Sequence, residues 1–119
     1  MSRALYEQHC QACTIGTRAM LPEDSNKLLA SVARWKKVKV DGMEQIRREF
    51  HFPDFKEAAA FTHKIGLIAE REDHHPSVLL EWGKVTVSWW THNANGLHDN
   101  DFIMAAKTDL IANHAMGNK

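Results

Sequence analysis

The residues best suited to chemistry are imidazoles gathered in two places, Asp73-His74-His75-Pro76 and Thr91-His92. Between them, Val78-Leu79-Leu80-Glu81-Trp82, then Gly83-Lys84, then Val85-Thr86-Val87-Ser88-Trp89-Trp90 reads as a hairpin with a Gly-first two-residue turn. Antiparallel pairing of its strands returns His92 to the neighbourhood of His74 and His75. An unperturbed imidazole titrates near pH 6.5, so two or three around one cavity can give and take protons at neutral pH. General acid/base proton transfer is the chemistry that fits. Pro76 fixes its own φ and restricts His75 to extended conformations, which holds that part of the backbone while His74 is directed elsewhere.

Other chemistries fit less well. A zinc site from His74, His75 and His92 is the sharpest competitor, but neighbouring histidines on an extended segment point in opposite directions and no helical H-x-x-x-H pair exists, so no metal is expected. No G-x-S-x-G elbow supports a nucleophilic serine. Cys10 and Cys13 form one C-x-x-C pair with no second half and no adjacent βαβ pattern, and read as structural or incidental. His9, His51, His63 and His114 belong to no motif and read as surface or hydrogen-bonded residues. Two carboxylates have double readings. Asp101, in the first turn of a final helix, either favours the positive end of the helix dipole or orients and charge-tunes His92. Glu70, just before the His-His-Pro turn, is either a solvated helix residue or a carboxylate behind the imidazoles.

The elements that must position these groups follow from periodicity. Asp24 or Ser25 caps a short helix with Leu28, Leu29 and Val32 on one face. Arg34 to Val40 turns to period two, Asp41-Gly42 makes a hairpin turn, and the return strand puts Ile46, Arg48, Phe50 and Phe52 on one side. Pro53-Asp54 stops it. Asp54 with Glu57 then opens a long helix to about Glu72, whose stripe is Phe55, Ala58, Phe61, Ile65 and Ile68. After the second hairpin a last helix follows Gly96-Leu97 with Ile103, Ala106 and Leu110 as its buried stripe, and Gly117 lies near its end. Residues 1–21 lack periodicity and read as an irregular arm. The order α-β-β-α-β-β-α predicts an α+β fold with helices on one sheet face, in a single domain over 1–119.

Composition narrows the partners. The chain has 119 residues, with fifteen Lys plus Arg against fifteen Asp plus Glu and a formal net charge of zero. That balance argues against nucleic-acid binding and polybasic membrane association, and the run Arg34, Lys36, Lys37, Lys39 reads as the solvated side of a strand. No stretch approaches the ~20 apolar residues of a membrane span, and Met1 to Gln8 lacks the apolar core of a secretory signal, so the expected location is cytoplasmic. Trp82, Trp89 and Trp90 cluster around the second hairpin, which suggests an oligomer that shields that surface or edge.

At these residues the sequence resembles the pterin-4a-carbinolamine dehydratase family, known in animals also as dimerisation cofactors of a homeodomain transcription factor. The resemblance rests on Glu70-x-x-x-His74-His75-Pro76, Val85-x-Val87, Thr91-His92 and Gly96-Leu97-x-x-x-Asp101, with Trp35 and Phe50-His51-Phe52-x-Asp54-Phe55 upstream. It implies a four-stranded antiparallel sheet packed by helices, assembled as a homodimer or homotetramer. It implies loss of water from a 4a-hydroxytetrahydropterin to give a quinonoid dihydropterin, with no metal or organic cofactor, in support of an aromatic amino acid hydroxylase. The resemblance assigns catalysis to His74, His75 and His92 with help from Asp101, and substrate binding or support to Glu70, Pro76, Trp35 and Thr91. A protein-binding or transcriptional cofactor module of the same fold is the alternative. The family commonly has Ser or Thr after Gly-Leu, where this chain has His98, so Asp99 is expected to take over the cap of the last helix.

Overall fold

A computed structural model describes residues 4–10 and 18–115 of the chain, with the side chains of 114 and 115 left aside. Cys13 and Gly117 lie outside the described residues, as does the side chain of His114. Two hairpins make one antiparallel sheet. Strands β1 (Lys36–Val40) and β2 (Met43–His51) are joined by Asp41-Gly42, with φ of 52° and 79°, the doubly positive backbone of a type I′ turn. Strands β3 (Ser77–Glu81) and β4 (Lys84–Trp89) form the second hairpin, and the sheet order is β1-β2-β4-β3.

The second turn falls one residue earlier than the sequence suggests. Glu81 pairs with Lys84, so Trp82-Gly83 makes the turn and Lys84 already belongs to β4. The backbone of Phe52 explains the position: its N–H donates to the Gly83 carbonyl at 2.9 Å, and a Cβ on Gly83 would stand 2.9 Å from the Phe52 oxygen. Only a residue without a side chain admits that approach.

One sheet face carries Ile46, Phe50, Val85, Val87 and Trp89, all buried, and receives the helices. Helix α2 (Phe55–Glu72) starts as its sequence requires, with the Asp54 carboxylate accepting the Glu57 N–H at 2.8 Å, and lays Ala58, Phe61, Ile65 and Ile68 on the sheet. Phe55, expected in that stripe, is exposed because the first turn precedes the packed stretch. The helix ends at Asp73, in the left-handed conformation with φ 52°. Arg48 faces the same side as Phe50. Its guanidinium lies 4.2 Å from the Phe50 ring centre and pairs with Asp109, which also accepts the Trp35 Nε1–H at 2.8 Å. Burial pushes the Asp109 carboxyl above its usual value, against the opposing pull of Trp35 and Arg48.

Helix α1 (Pro22–Ser31) begins before the expected caps. Leu21 precedes it, Pro22 fills the first turn, and Ser25 is buried inside it with its hydroxyl donating to the Pro22 carbonyl. Helix α3 (Asp99–Ala115) differs most from its predicted stripe. Ile103 is buried and Ala106 half-buried, but Leu110 is exposed, while Phe102, Met104, Ala105, Thr108 and Ala112 are all buried. The cause is the N-terminal arm, whose Leu5–Glu7 forms a 3-10 turn lying on α3. A helix covered on two sides shows no single stripe. The tryptophans also separate, since Trp89 is core, Trp90 half-buried and Trp82 68% exposed.

Candidate active site

Hairpin register brings the site together. Ser77 pairs with Ser88 and Val78 with Val87, so the chain entering β3 and the chain leaving β4 run opposite one another. The same register carried back from Ser77 sets His74 across from Thr91. Both side chains reach Asp101, which comes from the first turn of α3. His74 Nε2 lies 2.7 Å from Asp101 Oδ1, and the Thr91 hydroxyl donates to Oδ2 at 2.9 Å. Asp101 is fully buried and His74 nearly so.

The Asp101 rotamer is fixed by how the helix begins. His98, not Asp99, caps α3: its Nδ1 accepts the Asn100 N–H at 3.1 Å, and Asp101 Oδ2 reaches back to the His98 N–H at 2.9 Å. This is the reciprocal pattern of a capping box with an imidazole in place of the usual hydroxyl. One carboxylate thus closes a helix start and takes contacts from Thr91 and His74. A carboxylate so employed accepts hydrogen bonds, so the His74 tautomer that satisfies this contact carries its proton on Nε2 and has Nδ1 as an acceptor. The imidazole stacks on the Trp89 indole, with ring centres 5.8 Å apart and planes within 8°. Trp89 Nε1 donates to Thr108, so the indole is itself held.

His75 points away from His74, as neighbours on an extended segment do. Its Nε2 bonds the Glu70 carboxylate, and both side chains are exposed. Glu70 therefore fits both sequence readings, solvated yet bound to an imidazole. Asp101 meets His74 rather than His92. His92 is exposed in a 3-10 turn at His92–Ala94, with its ring centre 4.9 Å from that of Trp90. Pro76 leads into β3, half-buried. Trp35 lies within the core against Phe50 and Asp109. Asp109 is eight residues, about 12 Å of helix, beyond Asp101.

Among the described residues, no three His, Cys, Asp or Glu side chains are arranged to hold a metal ion, and no helix is long and apolar enough to cross a membrane. A separate concavity of about 430 Å³ is lined by Arg34, Lys36, Arg47, Arg48, Glu49 and His51 among others, and includes none of the site histidines. Its position argues against assigning the proton chemistry there. Two contributors escaped the sequence reading. His98 has the cap-to-third-residue spacing to Asp101, but histidine is an unusual cap, and Trp89 reads as a strand residue in a tryptophan cluster suited to an oligomer surface.

Known proteins resemble this chain in sequence and in fold. The family model described as pterin 4 alpha carbinolamine dehydratase matches residues 18–111. A protein of Photobacterium profundum named putative pterin-4-alpha-carbinolamine dehydratase is 50% identical over 105 residues, covering 88% of this chain and 94% of its own. One of the same name from Marinobacter nauticus is 50% identical over 107 residues, covering 90% and 96%. Among solved structures, a transcriptional coactivator/pterin dehydratase from Brucella melitensis superposes with a TM-score of 0.72 at 37% identity, over 80% of this chain and 99% of that one. A pterin dehydratase-like protein identified as a RuBisCO assembly factor in the alpha-carboxysome shares the fold, with a TM-score of 0.57 at 18% identity over 66% and 88%. The ordered motif, the two-hairpin fold and these matches together make the chain a member of the pterin-4-alpha-carbinolamine dehydratase family.

Proposed function

We propose that this chain dehydrates a 4a-hydroxytetrahydropterin to the quinonoid dihydropterin, with imidazoles as the proton carriers. The observation that carries the reading is the His74–Asp101–Thr91 cluster, a nearly buried imidazole held by a buried carboxylate beside a second imidazole–carboxylate pair. In the reaction the C4a–O bond breaks, the N5–H proton is lost and N5=C4a forms. Hydroxide leaves poorly, so an acid must protonate it while a base takes the N5 proton. Each such transfer is typically worth about 10²–10⁴-fold in rate. His74 through Nδ1, His75 and His92 are the candidate carriers, with Asp101 and Glu70 holding two of the rings. Thr91 and Pro76 shape the turn, and Trp35 supports the site through the core.

In this reading the enzyme works in the cytoplasm without a metal or organic cofactor, on the product of an aromatic amino acid hydroxylase, as a homodimer or homotetramer. Exposed Leu79 and Trp82 at the β3 hairpin support burial of that edge between copies. The same apolar edge favours a second reading as a protein-binding module, in line with the coactivator and assembly-factor names of the structural neighbours.

The test is dehydration of the separated 4a stereoisomers, followed by ultraviolet absorbance, with wild type, His75→Ala and His92→Ala. Acceleration of both isomers by wild type, with the two variants losing different isomers, is the expected result. A folded wild type that leaves the spontaneous rate unchanged would reject the dehydratase and favour the binding module.

A further inference from the structure

The Ala4–Cys10 stretch of the N-terminal arm reaches the two turns that carry His74 and Asp101. Along Ala4 to Cys10 polar contacts attach it to α3 and to the end of α2. Lys107, nearly buried on α3, donates through Nζ to the Tyr6 carbonyl at 2.9 Å. Glu72, the last residue of α2, takes two more: the Cys10 N–H donates to Oε1 at 2.8 Å and His9 Nδ1 meets Oε2 at 2.8 Å. The Cys10 sulfur lies 3.9 Å from the Asn100 carbonyl. Leu5 and Cys10 pack on the main apolar core.

These anchor points sit beside the site. Glu72 is two residues before His74 with only left-handed Asp73 between, and Asn100 immediately precedes Asp101. Although it ends a helix near the surface, the Glu72 side chain is only 4% exposed. Burial alone would raise its carboxyl, but the Cys10 N–H, His9 and Lys107 hold it below the usual glutamate value. The arm precedes residue 18, where the family match begins.

We propose that the Ala4–Cys10 arm, gripped by Glu72, is a positioning strap that sets the approach of His74 to Asp101, which makes Glu72 a positioning residue for the dehydration. The proposal rests on the dehydratase reading for its effect on rate, but its geometric content stands apart from it. Helix α2 stops at left-handed Asp73, and the Cys10 N–H donating to Glu72, the last helical residue, ties the arm to the turn from which His74 begins. A shift of about 1 Å in a proton-transfer group costs up to about a hundredfold in rate.

The experiment uses the full chain as wild type, Glu72→Ala, Glu72→Gln and Lys107→Met. It reads kcat and KM for pterin dehydration, normalised to folded protein, and the nitrogen and carbon-bound proton resonances of the His74 ring by NMR. Glu72→Ala is expected to lower kcat about tenfold to a hundredfold, to change KM less than about twofold, and to move the His74 resonances. Glu72→Gln keeps an oxygen for the Cys10 N–H and an amide for His9, and should restore both readouts to near wild type. Lys107→Met, which frees the Tyr6 end and removes one of the charges acting on Glu72 but leaves the Cys10 and His9 contacts, should shift them in the same direction by less.

Unchanged His74 resonances and wild-type kcat in Glu72→Ala would overturn the proposal, as would a Gln variant no better than Ala. If Glu72→Ala does not fold, wild-type His74 resonances in Lys107→Met would overturn it and shifted ones would support it. A wild type without dehydratase activity would remove the proposed function, while the His74 resonances would still decide the strap.

Discussion

Asp101 is the third residue of a helix and also the acceptor at the end of the His74 contact, so one substitution reads both duties. In Asp101→Asn the amide oxygen can still take the Thr91 hydroxyl and the His98 N–H, which keeps the helix start. The amide nitrogen then faces His74 Nε2 and donates where the carboxylate accepted, forcing the ring proton to Nδ1. The predicted outcome is a folded protein whose kcat for dehydration falls by about 10²–10⁴-fold, measured beside a melting curve within a few degrees of wild type. The histidines, Thr91 and Asp101 were legible in the sequence as a set, but their pairing was not. The turn decides it. A turn at Gly83-Lys84 would set His75 opposite His92, whereas the observed Trp82-Gly83 turn sets His74 opposite Thr91. Slipping a hairpin by one residue reassigns each cross-strand neighbour, and nothing in the local sequence shows the Phe52 backbone that fixes the register.

Helix α2 was the most legible element, because its cap, stripe and stop are local: Asp54 on Glu57, apolar residues at helical spacing, then Asp73. Helix α3 was the least, because the arm covering its second side is distant in sequence and leaves no periodic trace. The turn between β3 and β4 yields a prediction at this scale. Gly83→Ala forces a Cβ to within 2.9 Å of a backbone oxygen, which cannot swing aside as a flexible side chain would. A loss of about 1–3 kcal/mol in urea unfolding is expected, with the strand ends around His74 and Thr91 displaced. The Arg48–Asp109 pair gives another. Removing Asp109 leaves a largely buried guanidinium and the Trp35 N–H without their acceptor, so Asp109→Ala should also cost about 1–3 kcal/mol. Stability unchanged in either variant would contradict the packing described here.

Across the whole molecule, the two-hairpin order was enough to give the fold class, since paired strands and capped helices specify an α+β sheet without knowledge of the loops. The arm was read as irregular, and its docking through Glu72 is a contact between distant parts of the chain. That contact has a pH signature. The Glu72 carboxyl is held below its ordinary glutamate value, so its contribution to stability is present above that value and is lost as pH falls through the lower, folded one. Urea midpoints taken from about pH 6 down to about pH 3 should therefore fall less steeply for Glu72→Gln than for wild type. Parallel curves would argue that the arm is not held by this carboxylate in solution.

The central claim is that a buried, carboxylate-held imidazole moves a proton in pterin dehydration. The most direct measurement is the rate at which freshly generated 4a-hydroxytetrahydropterin loses water with folded wild type and with folded His74→Ala. The account predicts rapid turnover by wild type and a loss of at least about a hundredfold in the variant. Equal rates for the two proteins, or a wild type no faster than the spontaneous reaction, would contradict it.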